Sequence, residues 1–219
     1  MRRLQSVITE MMYWFKVNNL KANPDKFQLI MFDRTQDMSS VYLNIDCIQI
    51  KSQSLVKLLC VYIDDMLSFT SHISNLCKKA GFKTNALARL SAKLDFTSKM
   101  MLFNSFVLSH FLYCPVVWHM CNLGDIQKME KIQKRALQCI LNDHKSSYRN
   151  LLSRCNQTAL YIQRQRLLLI EMFKIINCIS PTYLHDIFVL KESSYDMRNI
   201  QALGLPRCNT NRYGINSFK

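Results

Sequence analysis

The hydrophobic period of this chain changes once, near residue 68, and that change divides it into two kinds of structure. Before it, after one amphipathic segment, apolar residues come in runs of strand length; after it they recur every three or four residues, as on the buried face of a helix. Residues 4–20 place Leu4, Val7, Ile8, Met11, Met12 and Phe15 on one helical face. Asn23-Pro24-Asp25 closes that segment, because a proline disfavours helix in the residue before it. Residues 27–32 are a short apolar run. Val41-Tyr42-Leu43 and Cys47-Ile48-Gln49-Ile50 read as two short strands around Asn44-Ile45-Asp46, and residues 55–63 as a third apolar strand.

Beyond Ser68, Thr70 or Ser71 can cap a helix reaching about Leu94. Thr97 or Ser98 starts the next, apolar almost all round, which ends near His119 with Pro115 late in it. Asn122 caps a third helix, with Asp125 in the first turn where a negative charge suits the helix dipole. Further helices are predicted over 147–154, 158–178 and 182–188, while 191–219 show no clear period. The expected fold class is α+β. A small, mostly antiparallel sheet with one helix occupies 1–67, an all-helical bundle 68–190, and an irregular segment 191–219.

Charge follows the same division. Residues 1–66 hold eight Lys/Arg against seven Asp/Glu, whereas residues 67–219 hold 21 against eight. The net charge of +14 therefore sits almost wholly in the helical part, and it points to a polyanionic partner. The competing reading is a solvated basic surface that keeps the chain soluble. Four glycines and four prolines leave little room for a Gly-rich phosphate cradle or a flexible linker. The nine cysteines are odd in number and form no C-x-x-C pair, and no signal peptide precedes them. They lie singly among apolar residues, as Cys77, Cys139 and Cys178 do, where a free thiol acts as a small hydrophobe. The expectation is a reducing, intracellular compartment (cytoplasm or nucleus) and no secretion. Residues 100–121 carry no Asp, Glu, Lys or Arg, a length able to span a bilayer. Asn104, Ser105, Ser109, His110, Pro115 and His119 interrupt them, so a buried core helix is expected in place of a membrane span.

Several blocks then resemble one family in order. Trp14-Phe15 with Asn18-Asn19-Leu20-Lys21-Ala22-Asn23-Pro24-Asp25-Lys26 resembles the segment after the catalytic strand in reverse transcriptases of jockey-like LINE (non-LTR) retrotransposons. Val56-Lys57-Leu58-Leu59-Cys60-Val61-Tyr62-Ile63-Asp64, then Leu67-Ser68-Phe69 and His72-Ile73, look like that family's entry into the thumb. Lys78-Lys79-Ala80, Tyr113-Cys114-Pro115-Val116-Val117-Trp118 and Ile132-Gln133-Lys134-Arg135-Ala136-Leu137 resemble successive thumb helices. Glu171-Met172-Phe173-Lys174 and Ser180-Pro181 are similar to the family's region beyond the thumb, and Arg212-Tyr213-Gly214 with Ser217-Phe218 resembles the start of a further block. One departure stands out: Cys60 occupies a place where the family usually has Gly, and a strand Gly often permits close backbone approach. The resemblance implies a distal palm fragment over 1–67 and a template–primer-binding thumb with its extension beyond. It implies a truncated RNA-directed DNA polymerase whose Mg²⁺-holding carboxylates belong to the parent enzyme, so that this chain needs no cofactor. The implied partner is RNA or an RNA–DNA hybrid; protein partners are not indicated.

Tyr62-Ile63-Asp64-Asp65 has the form of the reverse-transcriptase catalytic signature, which clamps two metal ions near the primer end. Such a pair needs a further carboxylate, and Asp33 is the upstream donor on offer. The flanking residues instead align Asp64 with the thumb-entry strand, downstream of the family's true catalytic pair. The preferred reading is therefore no catalytic residue, with Asp64 and Asp65 at a strand end or turn. A minimal polymerase using Asp33, Asp64 and Asp65 is the alternative, and a domesticated helical interaction protein is another. His110, Cys114, His119 and Cys121 lack zinc-finger spacing; helical geometry puts His110 and Cys114 on one face with Trp118, a core pattern, so no metal site is expected. The basic helices carry the stronger signal. Ile126, Met129, Ile132, Ala136, Leu137 and Ile140 form an apolar stripe, with Lys128, Lys131 and Arg135 on one basic face. Lys78, Lys79, Lys83 and Arg89 enrich the first bundle helix. Such faces follow a phosphate backbone without reading bases.

Overall fold

The computed structural model describes residues 2–32, 41–45 and 48–187, and the fold is α+β, as the sequence predicts. Asp33 and residues 191–219 lie outside the described residues. The chain divides into two compact units, Met1–His72 and Ile73–Lys219.

In the first unit, helix α1 (Arg2–Val17) lays Ile8 and Met12 on a hairpin of β1 (Tyr42–Ile45) and β2 (Ile48–Lys51). The pairing is antiparallel, Leu43 opposite Ile50 and Ile45 opposite Ile48, so period-two alternation turns Leu43, Ile45 and Ile50 inward. Gln5 Nε2 donates to the Asn44 carbonyl at 2.7 Å and ties helix to strand. Residues 27–32 are not a strand. Leu29 makes a single parallel bridge to Ser52, and its burial beside Phe27 and Met31 explains the apolar run.

Residues 55–63 differ more sharply from expectation. They form a hairpin of β3 (Leu55–Leu58) and β4 (Val61–Asp64), with Leu58 opposite Val61. The intervening Leu59 and Cys60 have φ of 45° and 67°. Positive φ at both positions is the requirement of a two-residue type I′ turn, which normally takes Asn-Gly. Position 60 is therefore a turn position and not the interior strand position expected from the sequence, and there a glycine would serve by its left-handed backbone.

The second unit is helical. Helix α2 (Thr70–Leu90) buries Ile73, Leu76, Ala80, Thr84 and Leu87 along one side. Ahead of its first turn the Ser68 hydroxyl accepts from the Thr70 N–H at 3.3 Å. The long helix expected over 97–119 is interrupted. It begins as α3 (Phe96–Leu102), capped by Asp95 and not by Thr97 or Ser98, and passes through a π-helical stretch (Phe103–Leu108) into α4 (Ser109–Leu112). It breaks at Cys114, whose φ of 47° precedes Pro115 at the start of α5 (Pro115–Trp118). Proline fits the first turn of a helix and not its interior, so it starts α5 instead of lying late in α4. The buried Trp118 indole donates to the Tyr113 carbonyl at 3.1 Å and holds the break. Helices α6 (Leu123–Leu141), α7 (Tyr148–Arg154) and α8 (Leu160–Ile176) follow near their predicted places, and a 3-10 turn covers Thr182–Ile187. The core gathers Phe103, Val107, Phe111, Trp118, Met129 and Leu137, with α6 packed on α3, α7 and α8.

Candidate nucleic-acid interface

The carboxylate of Asp64 is engaged by its own chain. Its Oδ1 accepts from the Ser68 N–H at 2.8 Å, and its Oδ2 from the Phe69 N–H at 2.7 Å and the Ser68 hydroxyl at 3.1 Å. These bonds hold the link from β4 to α2, in which Leu67 and Phe69 both have positive φ. The neighbouring Asp65 uses its backbone N–H to bond the Ser54 carbonyl at 3.0 Å. Both oxygens of Asp64 are thus hydrogen-bonded within this link. Tyr62, the aromatic of the same run, lies 5.7 Å beneath Lys57 Nζ, and its N–H donates to His72 Nδ1 at 3.3 Å.

Among the described residues no three His, Cys, Asp or Glu side chains are grouped to hold a metal ion. His110, Cys114, His119 and Cys121 are separated by the break at Cys114. Cys114 is exposed, so His110, Cys114 and Trp118 do not share the single core face expected of a continuous helix. Cys121 is buried and accepts from Arg164 Nη1 at 3.5 Å, and the His119 ring stacks on Tyr161. Burial, seconded by the Asp125 carboxylate, pushes the Cys77 thiol up to about 11. Among the described residues no helix is long and apolar enough to cross a membrane.

The basic side chains are arranged differently. Lys78, Lys79, Lys83 and Arg89 are all exposed on α2, away from its buried line. Lys79 and Lys83, four apart, share one flank; Lys78 and Arg89, three turns apart, share another. On α6 the exposed Lys128, Lys131 and Arg135 lie opposite the buried Met129, Ala136, Leu137 and Ile140. Ile126 and Ile132 are only half-buried, while Asp125 and Gln133 join the buried side. Lys128 is not free: its Nζ meets Asp125 Oδ1 at 2.7 Å. The Asp125 and Lys128 charges both reach Cys77 of α2. Lys78, Lys79, Lys83, Arg89, Lys131 and Arg135 form no ion pair with any described residue. His110 lies near Lys79 and Lys83, and burial and their charges hold its pKa below the ordinary value.

Two features escape sequence reasoning. Arg164 on α8 is 1% exposed, with its guanidinium 5.3 Å from the Trp118 ring and 6.0 Å from the Tyr161 ring. Glu130 of α6 accepts from the Leu160 and Tyr161 N–H groups at 3.3 and 2.7 Å, and from the Tyr148 hydroxyl. That carboxylate caps α8, whose own N-cap is Ala159 and offers no side-chain oxygen. A periodicity within one helix carries no sign of a cap 30 residues away. Compared with known families, with curated proteins and with solved structures, the chain matches none.

Proposed function

We propose that this chain binds RNA or an RNA–DNA hybrid through the outer faces of α2 and α6, as the thumb portion of a non-LTR retrotransposon reverse transcriptase, and that it does not polymerise by itself. The observation carrying this reading is a set of exposed Lys and Arg side chains without ion-pair partners among the described residues, on helices whose opposite faces are buried. Positive side chains held this way release counterions from a phosphate backbone on binding and need no base contact. Lys131 and Arg135 are the central pair; Lys128, tied to Asp125, contributes less. The absence of a polymerase step is supported by the engagement of Asp64 in its own turn.

The test is binding of a labelled RNA–DNA hybrid to the full chain across a salt series. Affinity is expected to fall steeply with salt, and Lys131→Ala with Arg135→Ala to reduce the logarithmic slope by about two. No shift at low salt would sink the reading, and a stable protein complex in its place would favour an interaction protein. Primer extension by the purified chain, lost in Asp64→Asn, would replace it with a minimal polymerase.

A further inference from the structure

Residues 66–124 contain six Lys/Arg and a single acidic residue, Asp95. Its carboxylate is engaged as the cap of α3, accepting from the Thr97 and Ser98 N–H groups. Within this nearly acid-free stretch, α2 and the π-helical turn enclose a groove of about 210 Å³ lined by Ala86, Leu87, Leu90, Leu102 and Phe106, with Lys83 beside them. The groove is smaller than a typical pocket for a drug-sized ligand.

The backbone at this groove is unusual in its own right. π-helical turns are rare and recur at functional sites. Here the turn buries Phe103, Val107 and Leu108 and leaves Phe106 51% exposed. Lys83 Nζ lies over that ring, 5.7 Å from its centroid, and Lys79 occupies the same flank of α2 one turn away. A half-exposed aromatic residue with an ammonium group over its ring has the two elements by which proteins hold unpaired nucleotides: a stacking surface and a phosphate contact.

We propose that this groove is a stacking platform for an unpaired base of a single nucleic-acid strand, with Phe106 as the stacking face and Lys79 and Lys83 as the phosphate contacts. The inference rests on the nucleic-acid reading above and adds a second mode to it, since a base buried within a duplex has no free face to offer. An acidic amphipathic helix is the other occupant of matching charge. It needs apolar anchors over two turns or more, and the apolar lining that α2 gives this groove spans little more than one, from Ala86 to Leu90.

The experiment compares a short labelled RNA strand with a blunt RNA–DNA hybrid, each titrated with the wild-type chain and with Phe106→Ala and Phe106→Tyr. Phe106→Ala is expected to weaken strand binding about fivefold or more, with its salt slope and hybrid binding unchanged, and Phe106→Tyr to retain wild-type affinity. Equal strand binding by Phe106→Ala overturns the inference and leaves hybrid binding standing. So does an equal loss on both probes, which marks a disturbed fold. An acidic helical peptide that displaces the strand from wild type but does not bind Phe106→Ala would assign the groove to a protein. If the wild-type chain binds neither probe, the nucleic-acid reading falls and the platform with it.

Discussion

Leu59 and Cys60 turn the β3–β4 hairpin with left-handed backbone that neither side chain favours. The left-handed region costs an L-residue roughly 1–2 kcal/mol, partly offset by the extra freedom glycine would have when unfolded. Cys60→Gly is therefore expected to stabilise the chain by about 0.5–1 kcal/mol. In urea titration the midpoint should rise with the slope unchanged; a lower midpoint would show that Cys60 does not occupy this turn. Asp64 acts in the opposite sense. It accepts three hydrogen bonds around Leu67 and Phe69, which also have positive φ. Asp64→Ala should cost about 2 kcal/mol by the same measurement, with Asp64→Asn in between because an amide oxygen still accepts. A carboxylate held only for metal ions would leave stability unchanged or raise it on removal, so a neutral Asp64→Ala would count against the structural role.

The elements whose signals lie within themselves were legible. Asn122 caps α6 through its side chain, as read from the sequence, and β1 and β2 form in the expected region, with Asn44 and Ile45, expected between the strands, inside β1; Asp46 and Cys47 lie outside the described residues. What was illegible depended on distant or non-periodic chemistry. Two left-handed residues split one apolar run into a hairpin, and a tryptophan indole secured the break before Pro115. Glu130 capped a helix that begins at Leu160. The link between α6 and α7 gives a pH test of such local chemistry. Asp143 accepts from the Ser146 hydroxyl and N–H, from Arg154 and from the Lys145 N–H, and these donors hold its pKa at about 2. A carboxyl depressed on folding stabilises above its ordinary value of 3.8, and that contribution disappears as pH falls through about 2. Acid unfolding of Asp143→Asn should therefore lack part of the wild-type slope between those values, with the two proteins converging at the acid end. An unchanged slope would mean that the donors do not reach Asp143 in solution.

At the scale of the whole molecule, the lopsided charge visible in the sequence has a structural counterpart. The described exposed bases of α2 and α6 stand largely without carboxylates, while Lys99 Nζ turns to the Ile140 carbonyl at the end of α6. A net charge of +14 of which nearly all lies beyond residue 66 means that folding brings like charges together. Screening should relieve that repulsion, since the Debye length shrinks from about 30 Å at 0.01 M salt to about 8 Å at 0.15 M. The melting temperature is thus expected to rise as sodium chloride is added over this range. Heparin at low salt should raise it further, because a polyanion that binds the folded face adds RT ln(1 + [L]/Kd), about 2.7 kcal/mol at a hundredfold excess over Kd. The two agents separate two explanations of the charge. A surface kept basic only for solubility would respond to sodium chloride, yet would bind heparin to folded and unfolded chain alike and show no further rise. A binding face would hold the polyanion more tightly when α2 and α6 are in place, so its heparin shift should shrink in the Lys131→Ala, Arg135→Ala variant.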